Sequence, residues 1–387
     1  MTIATTSADT SLRSRSLERR RAAIREHMRN LGLDLVVAYG SGLHSFIHMN
    51  PAWYVSGFKQ LGRHMAVLLP IDGDPVAIIT PVWDLARARA RSTIEDVYAT
   101  DEENFLAYVG EQIDRRGWRQ KRVGVSGGQG HPRVIADAWP SIFDTGVQDF
   151  DKFVSDTAKI RDEWSLDCTR RAVAIAERGY EHLLETARPG MPEYAVAAEL
   201  DVYMRELGAD DNFQLMSASM HNRGVHAPTE RILEIGDVLL GEITPAVEGE
   251  YIQICRTAVL GKPTSLQLEK FALLDRCLRD GMRTAVPGTP VRDVVAAINR
   301  PLDDAGYAQY TRPPYMRTRG HSMSLGSMEP EIAPDRDHIL YENEVFVMHP
   351  NQYIPETGYF MCGEPVIITS RGAENLTSKM GTLDSIE

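Results

Sequence analysis

The sequence predicts an α+β protein of two domains. A smaller α/β domain comes first, and a larger domain follows in which a unit of helices and antiparallel sheet occurs twice. Three observations predict this. Up to residue 158, short apolar runs alternate with stretches of helical period, as sheet strands and their covering helices do. From residue 161 a long helical periodicity takes over. The chain then repeats itself. Pro189-Gly190-Met191-Pro192 opens a stretch that closes at Leu207-Gly208, and Pro287-Gly288-Thr289-Pro290 opens one of equal length that closes at Ala305-Gly306. In each copy a Pro-Gly turn starts a helix and a glycine stops it. A histidine-bearing loop and strands follow both. Two such units are expected to pack about a pseudo-two-fold axis, with a site between them lined from both sheets.

Taken in order, residues 1–12, rich in Ser, Thr and Ala, read as a disordered tail. Residues 13–31 read as a basic helix with an apolar stripe of Leu17, Ile24, Met28 and Leu31. Its Arg19, Arg20 and Arg21 read as a solvated face. Residues 35–38, 65–69, 76–80 and 123–125 read as strands, with helices over 83–91 and 103–114. This first domain is expected over 13–158 and the second over 159–387. A long helix over 161–188 opens the second, with Ala172, Ile175, Ala176 and Leu183 facing its core.

A hydrophobic share of 43% and a charged share of 25% are those of an ordinary soluble globular chain of 387 residues. The net charge of −12 argues against nucleic acid as a partner. No apolar run is long enough for a membrane span, and no signal-peptide core stands at the N-terminus, so a cytoplasmic protein is expected. The four cysteines, Cys168, Cys255, Cys277 and Cys362, are widely spaced and form no CxxC, which excludes a zinc ribbon or a disulfide framework.

The chemistry concentrates in residues 221–257, HNRGVHAPTERILEIGDVLLGEITPAVEGEYIQICRT. A turn at Ile235-Gly236-Asp237 precedes a buried apolar run, Val238-Leu239-Leu240, and Glu242 follows after one glycine. A second strand ends in Cys255-Arg256-Thr257. Polar groups aimed inward from paired strands are costly without partners, so they point to a site. The second copy answers with Arg317-Thr318-Arg319-Gly320-His321-Ser322, with Val345-Phe346-Val347-Met348-His349-Pro350, and with Gly363-Glu364-Pro365-Val366-Ile367-Ile368-Thr369.

In this order, residues 159–380 resemble the pita-bread fold of the creatinase, methionine aminopeptidase, aminopeptidase P and prolidase superfamily. Residues 13–150 resemble the smaller N-terminal domain of creatinases and prolidases. Metallopeptidases of the superfamily hold two divalent metals with two aspartates, a histidine and two glutamates. The resemblance carries the aspartates onto Glu242 and Gln253, and the histidine onto His321. It carries the glutamates onto His349 and Gly363, with Glu364 one position on. A further peptidase histidine falls on Met328. An amide and a glycine do not supply anionic oxygen ligands, so no metal and no cofactor are expected.

The closer resemblance is to the metal-free branch, creatinase and the ectoine hydrolases, which open a C–N bond in a small carboxylate-bearing guanidine or cyclic amidine. It places the catalytic histidine of that branch at His226, in Val225-His226-Ala227-Pro228-Thr229-Glu230-Arg231. It places a substrate-clamping arginine at Arg63, in Leu61-Gly62-Arg63. That arginine serves the partner subunit's site, which implies a homodimer. Cys255 and His349 stand where creatinase has carboxylates, so creatine itself is in doubt. The resemblance thus implies a metal-independent hydrolase of a non-peptide C–N bond in a small substrate bearing a carboxylate. Two alternatives remain. One is a metal-dependent Xaa-Pro-type peptidase or small-osmolyte lyase, with a rebuilt site of Glu242, His321, His349 and Glu364. The other is a non-catalytic binding module.

The residues fit those roles chemically. An imidazole at His226 can take a proton from water and return it to a leaving nitrogen. His321, flanked by Arg317 and Arg319, is expected to hydrogen-bond the substrate or the tetrahedral intermediate. His349 is expected to pair with Glu242 or Glu364. Glu242 reads as a general acid of raised pKa, a cation-binding carboxylate or a buried partner of Arg256. Cys255 reads as an inert small hydrophobe or a nucleophile. Gln253, Cys255, Arg319 and Glu364 are the expected substrate-binding lining, and Arg63 is the carboxylate clamp.

Overall fold

A computed structural model describes residues 7–42, 49–128, 130–316, 318–323, 325 and 328–387. The chain divides into two compact units. One runs to Trp164 and includes Leu325; the other comprises Ser165–Met323 and Met328–Glu387.

The first unit is a six-stranded sheet. Its order is Asp96–Ala99, Val76–Ile79, His64–Pro70, Leu35–Ser41, Val123–Ser126 and Val147–Asp149. Leu35–Ser41 is buried along its whole length, as an unbroken apolar run requires of a strand covered on both faces. Its alternate residues join two different cores. Val36 and Ala38 pack with Ile24 and Met28, while Val37 and Tyr39 pack with Phe105, Val109 and Trp139.

Two expectations for the N-terminal helix are corrected. The chain is helical from Ser7, in the helix Ser7–Leu31, rather than disordered to residue 12; residues 1–6 lie outside the described set. Arg13 fastens this end by donating to Arg91 O at 2.9 Å and to Gly57 O. The second correction concerns the arginine run. Arg20 and Arg21 are buried, not solvated. Arg20 lies over the Tyr54 ring and pairs with Asp162 at 3.2 Å, and Arg21 donates to Val55 O at 3.3 Å and Thr93 Oγ1 at 3.0 Å. Long arginine stems pack well along an apolar face when their heads find acceptors. The two units divide after Trp164, a few residues past the expected 158, and Asp162, the partner of Arg20, lies on the first unit's side of that division.

The second unit contains the repeat. The first copy has helices Glu163–Thr186 and Glu193–Glu206, and a sheet ordered Leu383–Ile386, Ile254–Leu260, Val238–Val247, Asp211–Ser219, with Glu250–Tyr251 paired to Val238–Val247. The second copy has helices Ser265–Thr284 and Val291–Asp304, and a sheet ordered Gly320–Ser322, Val345–Met348, Glu364–Thr369, Gly372–Asn375. The two Pro-Gly turns behave alike. Pro192 bridges Ile232 and Pro290 bridges Ile339. The closing glycines take left-handed φ values, 106° at Gly208 and 90° at Gly306, a conformation that stops a helix at little cost only for glycine. A pair of backbone hydrogen bonds joins the two sheets: Cys255 N donates to Gly363 O at 3.0 Å and Gly363 N to Cys255 O at 3.2 Å. One apolar core, from Leu240 through Phe271, Leu278 and Ile298 to Phe346 and Phe360, lies under both. Among the described residues no helix is long and apolar enough to cross a membrane.

Candidate active site

The seam between the two sheets carries the polar residues. On Val238–Val247, Glu242 stands opposite Leu215 on one neighbouring strand and Cys255 on the other. Thr244, two residues on, shares its face. Burial alone pushes the Glu242 carboxyl up to about 7, with no cation to oppose it. The group is therefore poised to give or take a proton at neutral pH.

Gln253 is buried next to it and spent on neighbours. Its Oε1 accepts from Thr244 Oγ1 at 3.4 Å, and its Nε2 donates to Cys255 Sγ at 3.4 Å. Asn351 Nδ2 reaches the same sulfur at 3.6 Å, and its Oδ1 accepts from Cys362 N at 2.9 Å. Burial, and secondarily the Glu242 charge, push the Cys255 thiol up to about 12. A protonated, enclosed thiol is no nucleophile, so of its two expected roles the small hydrophobe is the one its surroundings fit.

Gly363 brings the second sheet in. A Cβ there would lie 2.6 Å from His349 Cβ and 3.0 Å from Cys255 Sγ, so only glycine lets these two residues flank it. His349 and His321 face each other with ring centroids 5.2 Å apart at 63°. Both are buried, and burial holds both neutral, with His349 pushed down to about 3. His321 Nδ1 donates to Ser322 O at 3.2 Å, which leaves Nε2 as the lone-pair nitrogen. His349 Nδ1 is buried without a hydrogen-bond partner among the described residues. The expected pairing of His349 with Glu242 or Glu364 is thus not made.

Two expected substrate contacts point elsewhere. Glu364 is buried and ion-paired with Arg256 at 3.0 Å, and it also accepts from Thr377 Oγ1 at 2.8 Å and Gly381 N at 2.7 Å. It stands opposite Met348 in the ladder, one residue from Gly363, and so faces away from the histidines. This pairing also removes Arg256 as a partner for Glu242. Arg319 is fully buried and donates to Asn299 Oδ1 at 2.7 Å, Asn351 O at 3.0 Å and Gln352 Oε1 at 2.9 Å, while its carbonyl accepts from His349 N at 2.9 Å. It braces the segment that carries His349 instead of lining the site. Arg317 lies outside the described residues.

His226 sits apart from the buried group, exposed on its loop, and its Nδ1 donates to Ala227 O at 2.8 Å. The loop edges the same sheet, since Met216 N donates to His226 O at 2.9 Å and Met216 stands opposite Gly241, next to Glu242. Buried Glu193 secures it, accepting from Ala218 N at 2.7 Å, Thr229 N at 2.9 Å and Thr229 Oγ1 at 2.7 Å. Arg63, in the first unit, is exposed and pairs with Glu102 at 3.3 Å.

The structure therefore brings together Glu242, Gln253, Cys255, His321 and His349. It adds two residues that sequence reasoning missed. Asn351 had a signal, being a polar residue two positions beyond His349. Tyr359 had none. Its phenol is pushed up by burial and then by the Glu242 charge. As for a metal, this set offers one carboxylate, two neutral imidazoles, a thiol held protonated and an amide already engaged. Among the described residues no three His, Cys, Asp or Glu side chains form a group that could hold a metal ion. With Glu364 committed to Arg256, neither a dinuclear centre nor the four-residue mononuclear one fits these residues.

The profile of metallopeptidase family M24 matches residues 167–370. The chain is similar to a creatinase from a Bacillus species, at 24% identity over 93% of this chain and 90% of that protein. It is also similar to the Xaa-Pro dipeptidase of Pyrococcus furiosus, at 23% identity over 84% of this chain and 90% of that one. Its fold matches the crystal structure of an X-Pro aminopeptidase from Thermotoga maritima, with a TM-score of 0.81 and 18% identity, over 95% of this chain and 99% of that one.

Proposed function

The chain belongs to metallopeptidase family M24, and we propose that it is a hydrolase that cleaves a C–N bond other than a peptide bond, without a metal ion. One observation carries this reading. Among the described residues no three His, Cys, Asp or Glu side chains cluster as ligands, and of the residues brought together at the seam only Glu242 is a carboxylate, where two metal ions would need several anionic oxygens. Similarity to a creatinase over nearly the whole length supports the same class of bond. The substrate is a small guanidine, amidine or cyclic amide bearing a carboxylate.

The proposed chemistry is acid–base. His226, whose Nδ1–H is held by Ala227 O, presents its Nε2 lone pair and takes a proton from water. The resulting hydroxide attacks the amidine or amide carbon. Glu242, with its proton half-held near neutrality, protonates the leaving nitrogen. The His321 and His349 pair, kept neutral by burial, hydrogen-bonds the tetrahedral intermediate.

The test is a panel of carboxylate-bearing guanidines, amidines, cyclic amides and Xaa-Pro dipeptides, assayed with and without a chelator. Turnover of a non-peptide member that the chelator leaves unchanged is expected, with loss of that turnover in His226→Ala. Dipeptide cleavage abolished by the chelator would instead establish a metal-dependent peptidase; dipeptidase is the activity named for several of its relatives.

A further inference from the structure

We infer that the mouth of this site is an aryl-binding wall, formed by Tyr310, Tyr315, Tyr353 and His221, that receives an aromatic ring of the substrate; this rests on the hydrolase reading above. The four rings form one continuous group. Tyr310 meets Tyr315 edge-on at 4.9 Å between centroids and lies 5.8 Å from Tyr353. Tyr315 runs parallel to Tyr353 at 5.9 Å, and His221 stands edge-on to Tyr353 at 5.7 Å. His221 is fixed there by donating Nε2–H to Pro355 O at 3.0 Å.

The wall is continuous with the reacting groups. Tyr353 and Tyr359 are directly opposed in the two-stranded ribbon Gln352–Ile354 and Gly358–Phe360, so their side chains share a face. Asn351, one residue before this ribbon, reaches Cys255 Sγ at 3.6 Å, and Tyr359 is the phenol that the Glu242 charge pushes up. The wall is also open. Tyr315 is 47% exposed, His221 is exposed, and Tyr310 and Tyr353 are half-buried. Rings that serve only a core are enclosed; a partly open set of mutually inclined rings leaves faces and edges for another ring.

Charge selects an aryl group over a cation. Arg319 is buried directly behind, and among the described residues its three side-chain acceptors are the neutral Asn299 Oδ1, Asn351 O and Gln352 Oε1. Gln352 joins it to the wall, since its Nε2 donates to Tyr310 O at 2.8 Å. A cation over these rings would face a guanidinium that Asp303 opposes only through space, without a bond, whereas a neutral ring, or an acid carrying one, would not.

The experiment is calorimetric titration of the full-length protein with 3-phenylpropionate, 3-cyclohexylpropionate and 4-guanidinobutyrate. Binding needs no turnover, so the outcome is independent of whether the chain is a hydrolase. Phenylpropionate is expected to bind roughly 3- to 10-fold more tightly than its saturated analogue. Tyr353→Leu should erase that preference and leave cyclohexylpropionate affinity unchanged. The more exposed Tyr315→Leu, with an unaltered melting temperature, gives the same readout if the first variant folds poorly. Equal affinity for the two acids, no binding of phenylpropionate, or a Tyr353-dependent preference for the guanidinium acid would each overturn the proposal.

Discussion

Glu242 is a carboxyl on a strand buried along most of its length, held near 7 by loss of water with no cation to compensate it. Its unfolded value is 4.5, so between 4.5 and about 7 the folded state binds the extra proton, and stability falls as pH rises through that window. Glu242→Gln should remove this loss and raise stability above neutrality by up to about 3 kcal/mol, measured by urea unfolding at several pH values. The same change should lower kcat by roughly 100- to 10,000-fold, since it deletes the proton donor. A stabilised but fully active variant would exclude Glu242 from the chemistry. His349 works in the opposite sense. It is pushed from 6.5 to about 3 in the folded chain, so the unfolded state binds more protons below 6.5 and stability is lost as pH falls. His349→Gln should move the acid-unfolding midpoint, followed by circular dichroism, to lower pH.

At the scale of elements, the fold was largely written in local patterns. The paired Pro-Gly openings with their closing glycines gave the repeat, because turn chemistry and left-handed stops are local requirements. The alternation of apolar runs gave the first sheet for the same reason. Side-chain destinations were harder to read. Glu364 and Gly363 are adjacent, and the period of two in a strand sends one to Arg256 and the other to the seam. The acceptors of Arg319 lie at Asn299, Asn351 and Gln352, which only the tertiary path assembles. The seam itself yields a prediction. Glu364→Ala would strand the buried Arg256 charge beside the junction of the sheets, at a cost of about 3–5 kcal/mol. A midpoint shift in guanidinium unfolding of much less than that would mean the pair is replaceable. The His226 loop yields another. Glu193→Ala removes its three anchoring hydrogen bonds and should lower kcat by way of loop order, seen as faster amide exchange at Thr229.

For the whole molecule, a homodimer is predicted in which Arg63 clamps the substrate carboxylate in the partner's site. In this chain Arg63 is exposed and ion-paired with exposed Glu102, a contact of little stabilising weight. Arg63→Ala should leave the sedimenting species a dimer and raise KM about tenfold with little change in kcat. A monomer in sedimentation, or an unchanged KM, would remove that role. The central claim, that this member of a metallopeptidase family hydrolyses its substrate by acid–base chemistry alone, is tested most directly by metal content. The measurement is elemental mass spectrometry on active protein purified without added metal, alongside its turnover rate. Far less than one metal ion per chain, with a rate that added manganese, cobalt or zinc does not raise, is the predicted result. One or more ions per chain, with a rate that follows their removal and return, would contradict it.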